Sequence, residues 1–386
     1  MDFSLNDTQL QLQASARKFA RAEMPSVAET CERLNEPVPD AMRLRLAELG
    51  FLGINLPPQF GGQGLGHLDA LLVLEEFAQI SSAAAFPLFE ANVGPVQAIA
   101  RFAAPQLKEQ VIPEVTAGRL VIAVAMSEPE AGSALTDLRT RAEQDGDALV
   151  ISGQKRWCSG AGHAGGYLVY VRFGTARGAA GIGAVYVPKD APGVSFGAPE
   201  ELMGFRGVPS ADIVFDRVRV PAHHLVVEAG GFGRLMQAFD LERCGNATMA
   251  LAQASGALED VQTYVQERTQ FGKPLVEFQA VQLKLAEMKM RVEAARLLIW
   301  RAVSQADAGL PAALDSALAK CFANESAREV AGQALQLMGG YGYARAHAME
   351  RRLRDAWGWG IAGGAIDIQK VNIAAGMVGR RFDQRR

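Results

Sequence analysis

The stretch LVIAVAMSEPEAGS, residues 120–133, marks the point at which the pattern of the sequence changes from helical to extended. Its apolar beginning leads into a Ser, Glu, Pro and Gly cluster, which is typical of a strand that ends in a turn. Similar short runs, separated by turn residues, continue as far as residue 224 and indicate a small antiparallel barrel or sandwich. The further runs are 148–152, 167–173, 183–187, 212–215 and 217–220.

Helical patterns flank this stretch on both sides. Upstream, one amphipathic segment begins near Leu10, a second runs from Asp40 to Leu49 with Gly50 as its C-cap, and a third covers 68–80. Downstream, apolar residues recur at alternating steps of four and three, which predicts the seam of a helix bundle. They are Val281, Leu285, Met288, Val292, Ala295, Ile299 and Ala302.

The predicted fold is therefore α+β, in three consecutive parts. These are an N-terminal helical domain (1–118), a middle small antiparallel β-barrel or sandwich (119–224) and a C-terminal domain that resembles a four-helix bundle (225–386). The length of 386 residues is too great for one small core. A net charge of -3 without basic runs argues against nucleic acid as a partner. Since no apolar stretch approaches ~20 residues, no membrane span is expected.

The four cysteines are scattered along the chain and show no metal-ligand spacing. They are Cys31, Cys158, Cys244 and Cys321. Such usage favours a reducing, cytoplasmic location over a disulfide framework, and it predicts no metal site.

Glu242 lies on the inward face of the long helix predicted after residue 230, four residues after Ala238 and three before Gly245. A carboxylate on such a face is costly unless it is paired or functional. Two interpretations follow: a structural glutamate paired with Arg243 or a neighbouring arginine, or a functional group. Far downstream, the segment GIAGGA (360–365) carries no ionisable side chain.

Five local motifs, in order and at matching spacing, give the chain a resemblance to the acyl-CoA dehydrogenase family of flavoproteins. They are SEPEAGS (127–133), KRWCS (155–159), LMGFRG (202–207) followed by VFDRVRVP (214–221), ERTQFGKP (267–274) with Phe278 and Gln279, and QLMGGYGY (336–343). The resemblance covers nearly the whole chain and implies FAD as the cofactor.

The resemblance also implies which residues hold FAD. Trp157 is expected to pack against the isoalloxazine ring, although a Trp beside a strand is also a common core residue. Arg268 is expected to contact the diphosphate across a subunit interface. The other positions that match are Met126, Ser127, Gly132, Ser133, Ser159, Phe271, Gln279, Gln336, Met338, Gly339 and Gly340.

The reaction implied by the resemblance is α,β-dehydrogenation of an acyl-CoA thioester. Most members carry the catalytic glutamate at the position of Gly363, whereas the isovaleryl-CoA and long-chain branch places it at the position of Glu242. We therefore expect Glu242 to be the base and Gly363 to contribute only its backbone N–H to the thioester oxygen. Substrate contacts are expected from Ser133, Asp240, Arg243, Phe86 and Trp359.

Three alternatives follow from the same loss of the loop glutamate. Acyl-CoA desulfinases share an Ala-Gly-Gly run, but they use an arginine that the segment 81–88 lacks, and they have no glutamate at the Glu242 position. Crotonobetainyl-CoA reductase runs the double-bond chemistry in reverse with the same base. The third alternative is a non-catalytic flavin-binding member.

The acyl group and the partners are less closely defined by the sequence. The small residues 362–365, with Gly358 and Gly360, either make room for a branched, aromatic or dicarboxylic acyl group or merely form a turn. The resemblance implies a homotetramer built as a dimer of dimers, with an electron-transfer flavoprotein as the electron acceptor.

Overall fold

Six α-helices precede the first strand in the computed structural model of this protein, which describes residues 4–304, 306, 309–380 and 382. They are α1 (Asp7–Leu34), α2 (Asp40–Glu48), α3 (His67–Ala78), α4 (Ser82–Asn92), α5 (Val96–Phe102) and α6 (Pro105–Thr116). Helix α1 begins earlier than the apolar pattern indicated, because Asn6 and Gln9 form a reciprocal capping box. Gly50 follows α2 with a φ of 76°, as expected of a residue that ends a helix.

Eight strands form the middle sheet. They are β1 (Ile122–Ala125), β2 (Arg141–Asp145), β3 (Ala148–Ser159), β4 (Gly166–Arg172), β5 (Ile182–Pro188), β6 (Val194–Phe196), β7 (Ser210–Pro221) and β8 (Leu225–Val227). Their order is β6-β7-β3-β2-β4-β5-β8, with β1 paired to β4. Most pairings are antiparallel, as predicted, but β1 and β2 both pair with β4 in parallel.

Two strand predictions needed correction. The runs 212–215 and 217–220 are one strand, β7, which continues through Arg217 at a φ of 51° where the pairing with β3 changes register. Such a local irregularity breaks the alternation of the sequence without ending the strand. Strand β2, RAEQD, was missed because Ala142 is its only buried residue.

The C-terminal part is a helix bundle with one small hairpin. Its elements are α7 (Phe232–Glu267), β9 (Thr269–Gln270), β10 (Lys273–Pro274), α8 (Gln279–Ser304), α9 (Ala313–Met338), α10 (Gly340–Tyr343), α11 (Met349–Trp359) and α12 (Ile366–Val378). The predicted seam residues of α8 are buried, apart from the partly buried Leu285. The fold class is thus confirmed.

Strand β4 connects the two main cores of the molecule. Leu168 and Tyr170 belong to the large core shared with the helices, whereas Tyr167 and Val169 belong to the core of the sheet. This division follows from the alternation of side chains along a strand. The sheet is therefore fixed against the bundle, and a cavity remains where the three parts meet. Among the described helices, none has the length and apolar character that crossing a bilayer requires.

Candidate active site

A cavity of about 2000 Å³ lies where α4, the sheet, α7 and the turn after α11 come together. Sites for a single small molecule commonly measure about 300–1,000 Å³, so this cavity can hold more than one ligand. Many of the predicted site residues line it. They are Phe86, Met126, Ser127, Gly132, Ser133, Trp157, Ser159, Asp240, Glu242, Arg243, Trp359 and Gly363.

Trp157 forms the sheet side of the cavity and is not a core aromatic. Its side chain is 53% exposed, and the Arg156 guanidinium stacks 4.3 Å from the ring centroid. Its φ of 60° is unusual for a large side chain, and it lies where the register between β3 and β7 shifts. Strained backbone of this kind is concentrated at ligand sites.

A buried ion pair between Lys155 and Glu128, which the sequence analysis missed, lies under the sheet side of the cavity and supports it. The Lys155 Nζ donates to Glu128 Oε1 at 2.9 Å and to the Met126 carbonyl at 3.0 Å. The Glu128 carboxylate also accepts the backbone N–H groups of Arg139 and Thr140, at 2.6 and 2.8 Å. Burial alone would raise the pKa of Glu128, but the Lys155 charge and these hydrogen bonds hold it below its usual range.

Glu242 faces the cavity from α7 and is not the partner of Arg243. The Arg243 guanidinium instead binds Asp240 at 2.5 Å, and Asp240 also accepts a hydrogen bond from Ser316 at 2.8 Å. Glu242 has no hydrogen-bond or ion-pair partner in the part of the chain that the structure describes. Burial raises the pKa of its carboxyl to about 8, against the smaller opposing influence of Arg243 and Lys320. The interpretation of Glu242 as one half of a buried ion pair with Arg243 is therefore wrong.

Lys320, which the sequence analysis also missed, fixes the turn after α11 against Asn246, which lies one helical turn after Glu242 on α7. Its Nζ donates to the carbonyls of Trp359 and Ala362, at 3.1 and 2.7 Å, and to Asn246 Oδ1 at 2.9 Å. The Asn246 amide donates to the same two carbonyls. The sequence feature that could have indicated a buried lysine here is its place within the apolar stretch ALAKCFA of α9.

The glycines of this turn are required either by the backbone conformation or by close packing against neighbouring side chains. Gly363 has a φ of 67°, and its N–H has no acceptor within the described residues. A Cβ on Gly358 would lie 2.6 Å from the Phe205 ring, and one on Gly360 would lie 2.2 Å from the Arg328 guanidinium. At both positions the space that a side chain would need is already filled by another residue, so for them the interpretation as a turn is favoured.

Aromatic rings close the cavity beyond Glu242. Phe86 stacks on Phe89 at 6.0 Å, Phe89 contacts Trp359 at 5.8 Å, and Trp359 contacts Phe205 at 4.6 Å between ring centroids. The Trp359 indole N–H donates to Ser82 Oγ at 3.1 Å. The rings pack on one another and form a continuous apolar wall. Glu90 also lines the cavity, and the sequence analysis did not predict it.

A second group of predicted residues does not line this cavity in the described chain. They are Arg268, Phe271, Gln279, Gln336, Met338, Gly339 and Gly340. Arg268 is exposed, with its guanidinium 5.9 Å from the Tyr341 ring centroid, and Phe271 is 93% exposed at the tip of the β9–β10 hairpin. Their assignment to FAD from a neighbouring subunit stays a prediction.

Comparison with known proteins follows the same three parts. Family models described as the N-terminal, middle and C-terminal domains of acyl-CoA dehydrogenase match residues 6–119, 123–218 and 229–378. A 3-sulfinopropanoyl-CoA desulfinase of Paraburkholderia xenovorans is 38% identical, over 100% of this chain and 99% of the relative. An acryloyl-CoA reductase (NADH) of Anaerotignum propionicum is also 38% identical, over 97% and 95%. The structure of butyryl-CoA dehydrogenase from Megasphaera elsdenii has a TM-score of 0.93 at 30% identity, over 98% of this chain and 100% of that one.

Proposed function

The chain belongs to the acyl-CoA dehydrogenase family of FAD-dependent enzymes, and we propose that it dehydrogenates an acyl-CoA thioester to the trans-2-enoyl-CoA. Glu242 is the base at the α-carbon. The observation that carries this proposal is an unpaired carboxyl with a pKa of about 8, directed into a cavity large enough for two ligands. A base works best when its pKa lies near the working pH.

The sheet side of the cavity fits a flavin. Trp157 offers an exposed ring face, and Ser127 and Ser159 place hydroxyl groups on the same wall. A Cβ on Gly132 would meet no atom within 4 Å, so the backbone there is open to a ligand. FAD held against this wall would supply an acceptor for the hydride from the β-carbon. The residues of this chain that would hold it are Met126, Ser127, Gly132, Ser133, Trp157 and Ser159.

The chain itself supplies the proton transfer and the stabilisation of the thioester oxygen. The Glu242 carboxylate takes the α-proton, and the negative charge that develops on the thioester oxygen is met by the free N–H of Gly363. Lys320 and Asn246 hold the carbonyls around that N–H, so its direction is set before the substrate binds. Donors fixed in advance at the site of developing charge are a large source of rate enhancement.

Desulfination is the second candidate, because a relative at 38% identity is named as a desulfinase. The residues at the inner end of the cavity, between α4 and α7, argue against this candidate. Two carboxyl groups, Glu90 and Glu242, lie there, and the nearby Arg243 is already bound to Asp240. A sulfinate would therefore find two carboxyls and no unoccupied arginine on this side, so its negative charge would have no partner. A reductase is also named among the relatives, and in that direction Glu242 of this chain would return a proton to the α-carbon.

An anaerobic panel of thioesters tests the proposal. We expect the FAD absorbance to bleach with at least one neutral straight-chain, branched or aromatic acyl-CoA, and 3-sulfinopropanoyl-CoA to release no sulfite. Bleaching reports net two-electron transfer, which desulfination does not require. Sulfite release without any bleaching across the panel would make the protein a desulfinase and refute the proposed oxidation.

The pH dependence distinguishes the two directions of the reaction. For dehydrogenation Glu242 must be ionised, so the rate of flavin reduction at limiting substrate should rise about tenfold per pH unit and level off above pH about 8. For reduction of an enoyl-CoA it must be protonated, so the rate should instead fall above that pH. Stopped-flow measurement from pH 6 to 10 checks both, and a flat profile would remove Glu242 from the proton transfer.

The partners are proposed on the basis of the family. We expect an electron-transfer flavoprotein to reoxidise the enzyme in the cytoplasm, and a homotetramer in which Arg268 of one subunit reaches the FAD of another. Phe271 is exposed beside Arg268, which supports an interface there, since aromatic and arginine side chains are both enriched at protein interfaces.

A further inference from the structure

Glu90 is a buried carboxyl that the proposed reaction does not use. It lies in the last turn of α4, is 6% exposed and lines the cavity. Its Oε2 has no hydrogen-bond partner among the described residues. A buried polar atom without a partner is rare in folded proteins and calls for an explanation, and at a cavity wall a bound ligand can supply the missing partner.

Packing between α4 and α7 places Glu90 close to the proton site. Gly245 lies one turn beyond Glu242, and a Cβ there would come within 2.4 Å of Val93 and 3.0 Å of Phe89. Phe89 precedes Glu90 directly, and Val93 follows it three residues later. On its other side the carboxyl is held against Gly94, where a Cβ would lie 2.5 Å from Oε2. The side chain is therefore confined at the inner end of the cavity.

The charge state of Glu90 follows from its surroundings. Burial, and then the nearby Glu242 carboxylate, raise its pKa well above the usual range. Two adjacent carboxyls of this kind do not ionise together, so Glu90 keeps its proton while Glu242 acts as the base. A protonated carboxyl offers one O–H donor.

We propose that Glu90 is a specificity-determining residue whose carboxyl O–H donates a hydrogen bond to a neutral oxygen on the distal part of the acyl chain. Hydroxyl, ether and carbonyl oxygens belong to this class. The inference rests on the proposed function for the presence of an acyl chain in this part of the cavity. The substrate class is then an acyl-CoA with a polar but uncharged acyl group.

The surroundings favour an uncharged group over the two charged ones. An anionic end group would find no free cation, because Arg243 is occupied by Asp240. It would also be repelled by Glu242 whenever that carboxyl is ionised for the reaction. A cationic end group would need Glu90 to ionise beside Glu242. The rings of Phe89 and Trp359 are each 5% exposed because they pack on their neighbours, so they form a wall and not a cage with open ring faces.

Calorimetric binding of matched thioesters to the FAD-loaded enzyme tests the inference. The probes are trans-2-enoyl-CoA pairs of equal chain length, one with a terminal hydroxyl and one with a terminal methyl, at three lengths. We expect the wild type to bind the hydroxyl compound about three- to tenfold more tightly at one length. Glu90→Gln keeps an N–H donor and should retain the preference, whereas Glu90→Met should reverse it.

Three results would overturn the inference: a wild type that prefers the methyl compound at every length, a Glu90→Met variant that keeps the hydroxyl preference, or tighter binding of an ammonium-bearing thioester than of both. If Glu90→Met does not fold, the wild-type comparison alone decides. Enoyl-CoA binding requires no turnover. The result is therefore independent of whether the panel above supports dehydrogenation.

Discussion

Glu242→Gln should slow anaerobic reduction of the bound FAD by an acyl-CoA by about 10²–10⁴-fold, the usual contribution of a general base. The amide has the shape of the carboxyl but cannot accept the α-proton. Because the pKa of Glu242 is about 8, the side chain is mostly protonated at neutral pH, and glutamine closely reproduces that neutral form. Folding and FAD content should therefore be unchanged, and the loss should appear in the rate of bleaching in a stopped-flow experiment.

Glu259→Gln is the matched control, because Glu259 lies on the same helix but pairs with Arg21 at the surface and does not line the cavity. It should reduce its flavin at the wild-type rate. If Glu242→Gln reduces its flavin as fast as this control, another group removes the α-proton and the proposed mechanism is refuted. Circular dichroism and the visible flavin spectrum show whether both variants are intact.

The sequence predicted those parts of the fold that depend on simple periodicity. The alternating steps from Val281 to Ala302 gave the buried seam of α8, and the apolar run before Ser127 gave β1. Apolar runs were a poor guide to β2, which is largely polar, and to β7, which passes through a residue with positive φ. Whether a polar segment pairs depends on its neighbours in the sheet, which a single stretch of sequence does not contain.

The sequence predicted those site residues that belong to a recognisable motif, and it missed those that are brought to the site only by the tertiary structure. The helical position of Glu242 and the absence of charge in 360–365 were visible in the sequence. The partner of Arg243 was also visible but was overlooked, because residues three apart on a helix face one another and adjacent residues do not, which favours Asp240 over Glu242. Glu90 and Lys320 come from separate helices, and their relation to Glu242 exists only once α4 and α9 pack against α7.

Lys155→Met should be the most destabilising of the substitutions considered, by about 3–5 kcal/mol, because it leaves the Glu128 carboxylate buried without its cation. The Lys155 side chain is fully buried and the Glu128 side chain is 4% exposed, so water cannot replace the lost ion pair. The Met126 carbonyl also loses its donor, which loosens the segment that faces the flavin. We expect a lower urea midpoint and faster loss of FAD on dilution.

Two further variants separate the charge from the packing at this position. Lys155→Met combined with Glu128→Gln removes the orphaned charge and keeps an oxygen to accept the backbone N–H groups of Arg139 and Thr140, so part of the stability should return. Arg219→Met breaks a pair with Asp145 that is largely exposed, and the urea midpoint should hardly change because solvent already screens that pair. A Lys155→Met protein as stable as Arg219→Met would mean that the pair does not hold the cavity wall, and the double variant would then show no recovery to measure.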